Sequence, residues 1–223
     1  MLPDPQRQGY ALMVSQSAAF YFDLASPLAY LAAERILHTL PGPAEWRPVL
    51  AAELPADTRA AQPPVEGHRP VGVWRCEHER DAFCEDIMRG AQQLGLQPLR
   101  WPEPFPFDST VAMRVATYAK SIGRAVPFAQ AAFRQAFAGG RDLQQLDNVL
   151  IAAAACEMHP AAVSRGAELS SVAAQLATST REAGELGVVE VPAISVGTDI
   201  FQGALAVEQA AAHMRELIGA ATR

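Results

Sequence analysis

Residues 19–31, AFYFDLASPLAYL, decide the fold. Ala19–Phe22 is a short apolar run that stops at Asp23. Ser26-Pro27 follows three residues later, and a helical pattern begins there. That order predicts a buried strand, a tight turn and a helix. Ser26 suits the N-cap, and Pro27 suits the first helical position, where its missing N–H is no loss. A helix start also exposes unpaired N–H groups and the positive end of the dipole. A thiolate or another anion is stabilised there, although capping alone explains the dipeptide. Residues 180–203, TREAGELGVVEVPAISVGTDIFQG, shift the balance. A helical segment runs into Gly187, and Val191-Pro192 precedes a predicted strand, Ala193–Val196. The turn Gly197-Thr198-Asp199 leads into a second strand, Ile200–Gln202, and then Gly203. Proline cannot donate to a sheet ladder, so its place at the head of a strand marks Val191-Pro192 as a candidate cis peptide.

Together the two segments resemble the two halves of a thioredoxin fold, in which a strand–turn–helix carries the reactive group opposite a cis-proline loop. The resemblance is more specific than the fold. Phe20-Tyr21-Phe22-Asp23, then Ser26-Pro27, then Tyr30-Leu31-Ala32 resembles the opening of the 2-hydroxychromene-2-carboxylate isomerases. These belong to the DsbA-like branch, with the kappa-class glutathione transferases. The spacing of Thr180, Ala183, Gly187-Val188 and Val191-Pro192 is similar to a second element of that family. Arg47-Pro48-Val49-Leu50 looks like the end of its second strand, and the Pro-rich stretch at 100–109 like the segment before a long helix. The likeness runs from about residue 18 to about residue 218, strong at the ends and loose in the middle.

The resemblance implies an α/β protein: a thioredoxin-like sheet with a large all-helical insertion. Residues 1–17 would be an N-terminal extension, 18–56 and 185–223 the thioredoxin-like domain, and 57–184 the insertion. It implies glutathione as cofactor and a small aromatic catabolite as substrate. The glutathione thiolate adds to the conjugated system of the substrate, permits rotation about a former double bond, and leaves. Ser26 would be the catalytic group that holds the thiol by a hydrogen bond. Val191, Pro192 and Gly203 would stand on the cofactor side, with the Val191 backbone pairing with the cysteinyl part. Trp101 and Asp108 would lie near the substrate, although a core tryptophan and a helix-capping aspartate are the commoner roles. The same residues also fit a kappa-like transferase or peroxidase, and a non-catalytic thioredoxin-fold binding protein. Relatives are commonly dimers, so a homodimer is expected.

Some features of the family are not matched. Its second strand is followed by a Lys and an Asn that help to bind glutathione, whereas residues 51–58 here read AAELPADT. Its last strand is followed by an acidic residue and an Arg, whereas Gly203 is followed here by Ala204-Leu205-Ala206-Val207-Glu208. Glu190 and Ala193 stand where the family has Gly and Thr. Each lost charge-assisted contact costs about 1.5–3 kcal/mol. Arg47, Arg59 and Glu208 are the candidates to replace them.

Composition agrees with a single α/β domain carrying an insertion. The chain has 223 residues, half of them hydrophobic, and a net charge of −6. Clustered basic runs are absent, so there is no footprint for nucleic acid or an anionic membrane. No apolar stretch approaches a membrane span. Residues 1–17, MLPDPQRQGYALMVSQS, lack a basic start followed by an apolar core, so a cytoplasmic location is expected. The three cysteines, Cys76, Cys84 and Cys156, lie far from Ser26 in sequence, and no C-x-x-C occurs. A disulfide oxidoreductase of this branch would carry cysteine at Ser26 and Ala29. Serine cannot carry out thiol–disulfide exchange, so redox catalysis at this site is excluded. His68, Cys76, His78 and Cys84 match no zinc spacing, and no metal is expected.

Between the two ends the pattern is helical. Apolar periodicity predicts helices over 75–95, after Asp108-Ser109 as cap, over Phe128–Phe137, over Leu143–Cys156, and in one stretch from Ala162 to Leu186. A helix after Ser26 turns Leu28, Leu31, Ala32, Ile36 and Leu40 to one side and leaves Glu34 and Arg35 solvated. A last helix over Leu205–Ile218 turns Val207, Ala210, Ala211, Met214 and Ile218 inward. Strands are expected at Ala19–Phe22, Trp46–Leu50, Ala193–Val196 and Ile200–Gln202. The Pro/Ala-rich stretch 55–72 reads as a flexible connection.

Overall fold

The computed structural model describes residues 18–55 and 76–221. The N-terminal extension, Arg59, His68 and nearly all of the 55–72 connection fall outside the described residues. Strand β1 (Ala18–Phe22) is followed by helix α1 (Pro27–Thr39), strand β2 (Ala44–Pro48) and a 3-10 turn (Ala51–Glu53). Then come α2 (Glu77–Gln93), α3 (Thr110–Ser121), α4 (Ala125–Phe137), α5 (Leu146–Ala154), α6 (Pro160–Glu168) and α7 (Ser170–Leu186). Strands β3 (Ala193–Val196) and β4 (Asp199–Gln202) and helix α8 (Ala206–Ala221) complete the described order.

The sheet order is β2-β1-β3-β4. β1 runs parallel to β2, with Phe20 opposite Trp46, and antiparallel to β3, with Phe20 opposite Ile194. β3 and β4 form an antiparallel hairpin. Alternation along β1 divides the core in two. Ala18, Phe20 and Phe22 join Trp46, Ile194 and Val196 in a cluster that continues into α1, α8 and the helical bundle. Ala19 and Tyr21 face the other way and pack with Val49, Leu54, Ala183, Val188 and Val191. Both sides of β1 are buried, which is why its sequence is an unbroken apolar run. Aromatic rings carry the first cluster from sheet to bundle. Phe22 lies 6.0 Å from Phe133, and Tyr30 stacks 5.6 Å from Phe137.

Several expectations need correction. β2 begins and ends two residues earlier than Trp46–Leu50. Its pairing with β1 closes at Pro48, after which Leu50 N donates to the Thr180 hydroxyl and Ala51 N to Asp23. Those bonds pull the chain off the sheet. The stretch 162–186 is two helices, α6 and α7, separated by Leu169 with ψ of 129°. Periodicity reports which face is apolar and cannot register one extended residue between two helices. The third-to-last prediction also overran: α5 starts at Leu146 because Asp142 organises a turn, accepting from Gln144 N, while Asn148 donates to its carbonyl. Helix α4 begins before its proline, at Ala125, since Pro127 falls in the first turn, where no N–H is required. Glu34 and Arg35 are not merely solvated. Arg134 grips Glu34 through two 2.7 Å hydrogen bonds, and Arg35 pairs with Glu208 at 2.9 Å. The first ties α1 to α4 and the second ties α1 to α8.

Candidate functional site

The turn between β1 and α1 is built around Asp23 and Ser26. Ser26 N donates to the Asp23 carbonyl at 3.0 Å, and Ala25 N to Asp23 Oδ1 at 2.9 Å. Ser26 is extended, with φ −91° and ψ 112°, and its Oγ accepts from Ala29 N at 3.2 Å. This is N-capping in the ordinary geometry, with Pro27 opening the helix. The Ser26 hydroxyl then donates to the Val191 carbonyl across 3.4 Å. A bond that long is weak and readily redirected. An acceptor placed at the helix start can therefore take the hydroxyl proton while Oγ still accepts from Ala29. That arrangement favours an anionic sulfur or oxygen.

The residues at 187–191 face this turn, and the Val191-Pro192 bond is cis. A side chain reads the backbone of this loop. Gln202, at the end of β4, accepts from Val189 N at 2.8 Å and Glu190 N at 3.2 Å, and donates to the Gly187 carbonyl at 3.1 Å. Gly203, with φ 79°, donates its N–H to the Pro192 carbonyl at 2.9 Å. Thr180 acts from behind: its hydroxyl accepts from Leu50 N and donates to the Leu176 carbonyl, both at 3.0 Å. The spacing of Thr180, Ala183 and Gly187 thus has a physical basis. Thr180 ties α7 to the loop after β2, Ala183 is buried in the same cluster as Tyr21, and Gly187 ends α7 in the left-handed region with φ 99°.

Between these segments lies a cleft of about 300 Å³. Its walls are the 23–28 turn, residues 50–53, residues 106–110 and residues 189–191. Ser26, Val191 and Asp108 are brought together on it. Trp101 is not: its ring lies tilted 4.7 Å from Phe105 and edge-on to Phe137, 6.2 Å away, as part of an aromatic group on the bundle core. Gly203 does not line the cleft either, because its N–H is committed to Pro192, so it shapes the loop from outside. Asp108 accepts from Thr110 N and the Thr110 hydroxyl, which holds its carboxyl below the usual range. It occupies the turn before α3 while Ser109, buried, takes the N-cap position without a side-chain cap bond.

Asp23 is the residue whose role sequence reading missed. It is 3% exposed and lines the cleft. Its Oδ2 accepts from Ala51 N at 2.9 Å, and it also bonds the Ser109 side chain. One carboxyl thus joins three walls. Burial pushes its pKa above the ordinary 3.8, against the pull of these hydrogen bonds. In sequence an aspartate after a strand reads as a solvated turn residue. The usable signal was the equally apolar continuation, Leu24-Ala25, on its far side. Among the described residues no group of His, Cys, Asp and Glu could hold a metal ion. No helix among them is long and apolar enough to cross a membrane.

Comparison with known proteins agrees with this fold. The model of the DSBA-like thioredoxin domain matches residues 18–215. No curated protein matches by sequence. Among solved structures, a 2-hydroxychromene-2-carboxylate isomerase superposes with a TM-score of 0.73 at 18% identity, over 90% of this chain and 95% of that one. A "probable DsbA oxidoreductase" of Streptomyces coelicolor gives 0.68 at 17%, over 92% and 90%. The cytosolic disulfide reductase DsbM of Pseudomonas aeruginosa, solved with GSH, gives 0.60 at 14%, over 92% and 98%. At these identities the likeness is one of fold.

Proposed function

The chain belongs to the DSBA-like thioredoxin domain family, and from that premise we propose that it is a glutathione-dependent isomerase, acting on an aromatic catabolite as the 2-hydroxychromene-2-carboxylate isomerases do. The observation that carries the proposal is Ser26 at the start of α1, its hydroxyl held loosely by the Val191 carbonyl at 3.4 Å. Among the described residues that line the cleft beside it there is no cysteine. A thioredoxin-type fold with serine at this point cannot exchange disulfides, but it can hold a thiolate brought by a ligand. The solved isomerase relative and the reductase solved with GSH support the choice of ligand and chemistry.

In this reading the Ser26 hydroxyl swings from Val191 to the glutathione sulfur, and the helix dipole lowers the cost of the thiolate. Val191 offers its backbone N–H and carbonyl to the cysteinyl unit in strand fashion. The sulfur adds to the conjugated substrate, a former double bond rotates, and the sulfur leaves as thiolate, so the cofactor is regenerated. Phe107 and Leu28, on the cleft walls, supply an apolar surface for an aromatic ring. A cytoplasmic homodimer completes the proposal, supported by the cytosolic reductase relative for location and by the resemblance for assembly.

Titration calorimetry with glutathione tests it. Wild-type protein is expected to bind at millimolar concentration or below, and Ser26→Ala to bind about tenfold or more weakly, the value of one hydrogen bond to a charged group. Isomerisation of a chromene carboxylate, followed by absorbance, should then require both glutathione and Ser26. Absence of binding at several millimolar would sink the proposal and leave a thioredoxin-fold binding protein.

A further inference from the structure

One side chain from the end of the β3–β4 hairpin grips the loop that carries Val191. Gln202 is the last residue of β4 and is paired across the ladder with Ala193, the first residue of β3. That register brings its amide beside the chain that leads into β3. Its Oε1 accepts from Val189 N at 2.8 Å and Glu190 N at 3.2 Å, and its Nε2 donates to the Gly187 carbonyl at 3.1 Å. Successive N–H groups converging on one point form a concavity that elsewhere takes an anion. Here an uncharged amide oxygen fills it. Val188 N is bound to the Ala183 carbonyl at 2.9 Å. The N–H groups of 188, 189 and 190 are thus spent inside the protein. Val191 comes next and lines the cleft, and among the described residues its N–H meets no acceptor. Its carbonyl receives the long 3.4 Å bond from Ser26.

Strand-like pairing with a ligand needs the N–H and the carbonyl of one residue held at a fixed orientation. Residues 187–192 lie between α7 and β3, where neither a helix nor a sheet ladder holds them. Among the described residues their backbone–backbone bonds fall at the two ends, on Gly187 and Val188 N and on the Pro192 carbonyl. Gln202 supplies the grip between those ends. We propose that Gln202 is a positioning residue of the thiol site: by clamping 187–190 it presents the Val191 N–H and carbonyl to the cysteinyl unit of the ligand. The proposal rests on the thiol-site reading above. Gln202 is not among the residues that line the cleft, so its effect on a ligand passes through the Val191 backbone. Such a clamp acts on affinity through the share of time the loop spends in the binding-competent arrangement. A loop that holds it for a tenth of the time binds about tenfold more weakly.

Calorimetric titration of glutathione into wild type, Gln202→Met and Gln202→Glu tests it. Methionine matches the length of glutamine and makes none of the three bonds. Glutamate keeps the acceptor and loses the donor. Both leave the backbone pairing of β4 with β3 in place, and a thermal melt checks that each is folded. Gln202→Met is expected to bind glutathione about tenfold more weakly than wild type, with Gln202→Glu between the two. A role in packing alone would give the reverse order, since a half-buried position accepts methionine more readily than a carboxylate. Hydrogen exchange on the wild type is a second measurement that needs no variant: the Val189 and Glu190 amides are expected to be protected. Gln202→Met binding as tightly as wild type, Gln202→Glu binding more weakly than Gln202→Met, or unprotected amides would each overturn this proposal while the thiol site stands. If wild type itself does not bind at several millimolar, the thiol-site reading fails and takes the proposal with it.

Discussion

Asp23 shows how much one buried side chain does here. Its carboxyl holds the 23–26 turn, the chain after β2 and the start of α3 against one another. Because burial raises its pKa in the folded protein, the native state keeps this proton to higher pH than the unfolded chain does. The stability contributed by the group is therefore complete below the ordinary value of 3.8 and is lost as pH rises through the native midpoint. Denaturant titrations carried upward from pH 3.8 should show wild type losing stability relative to Asp23→Asn as pH rises. The 13C shift of the Asp23 carboxyl should titrate above 3.8; a midpoint at or below it would contradict the assignment. Asparagine offers one acceptor oxygen where aspartate offers two, so Asp23→Asn also leaves an N–H at Ala25 or Ala51 unsatisfied, at about 1–3 kcal/mol across the whole pH range. None of this was legible from residues 19–31, which gave the strand, the turn and the cap correctly. Burial of an acid depends on what arrives from residues 51 and 109, and periodicity carries no information on that.

At the scale of elements, α6 and α3 meet at a point with no spare room. A Cβ on Gly166 would stand 2.5 Å from Cδ2 of Tyr118. Gly166 sits inside α6, where alanine would otherwise be the better helix former. Here sterics win: Gly166→Ala is expected to destabilise the protein by about 1–3 kcal/mol, the usual cost of overpacking. Gly166→Ala combined with Tyr118→Leu should recover part of that loss in a thermal or urea melt. Stabilisation by the single change would show that Tyr118 has another place to go. The strands β3 and β4 were legible because Pro192, the Gly197-Thr198-Asp199 turn and Gly203 punctuate them closely. The break at Leu169 was not, because Ala-rich sequence continues the apolar face of α6 straight into α7. The hold of Gln202 on the 187–190 backbone was equally hidden. A glutamine at a strand end reads as solvated until the loop folds back over it.

For the whole molecule, the division of the sequence into a sheet domain and an insertion is not a division of the core. One cluster runs from Ala18, Phe20 and Phe22 through Tyr30 to Phe133, Phe137 and Val163. Ring contacts and the Arg134–Glu34 pair cross the same boundary. Sheet and bundle should therefore unfold together. Far-ultraviolet dichroism, dominated by the helices, and tryptophan fluorescence, sensitive to Trp46 beside Phe20, are expected to give coincident denaturation curves. Two separated transitions would show that the bundle stands on its own. The fold class was legible because its two ends carry the punctuation of a strand, a cap and a proline loop. The unity of the core was not, since contacts between distant segments leave no periodic trace. One consequence of Ser26 reaches beyond structure. A cysteine at the tip of such a helix records the oxidation state of its surroundings, resting as a disulfide until something reduces it. Among the described residues no sulfur lies on the walls of this cleft, so they offer nothing to record with. Peroxide that would idle a Cys-Pro-x-Cys relative leaves Ser26 and the Val191 carbonyl as they were, and any sulfur that is spoiled departs with the ligand.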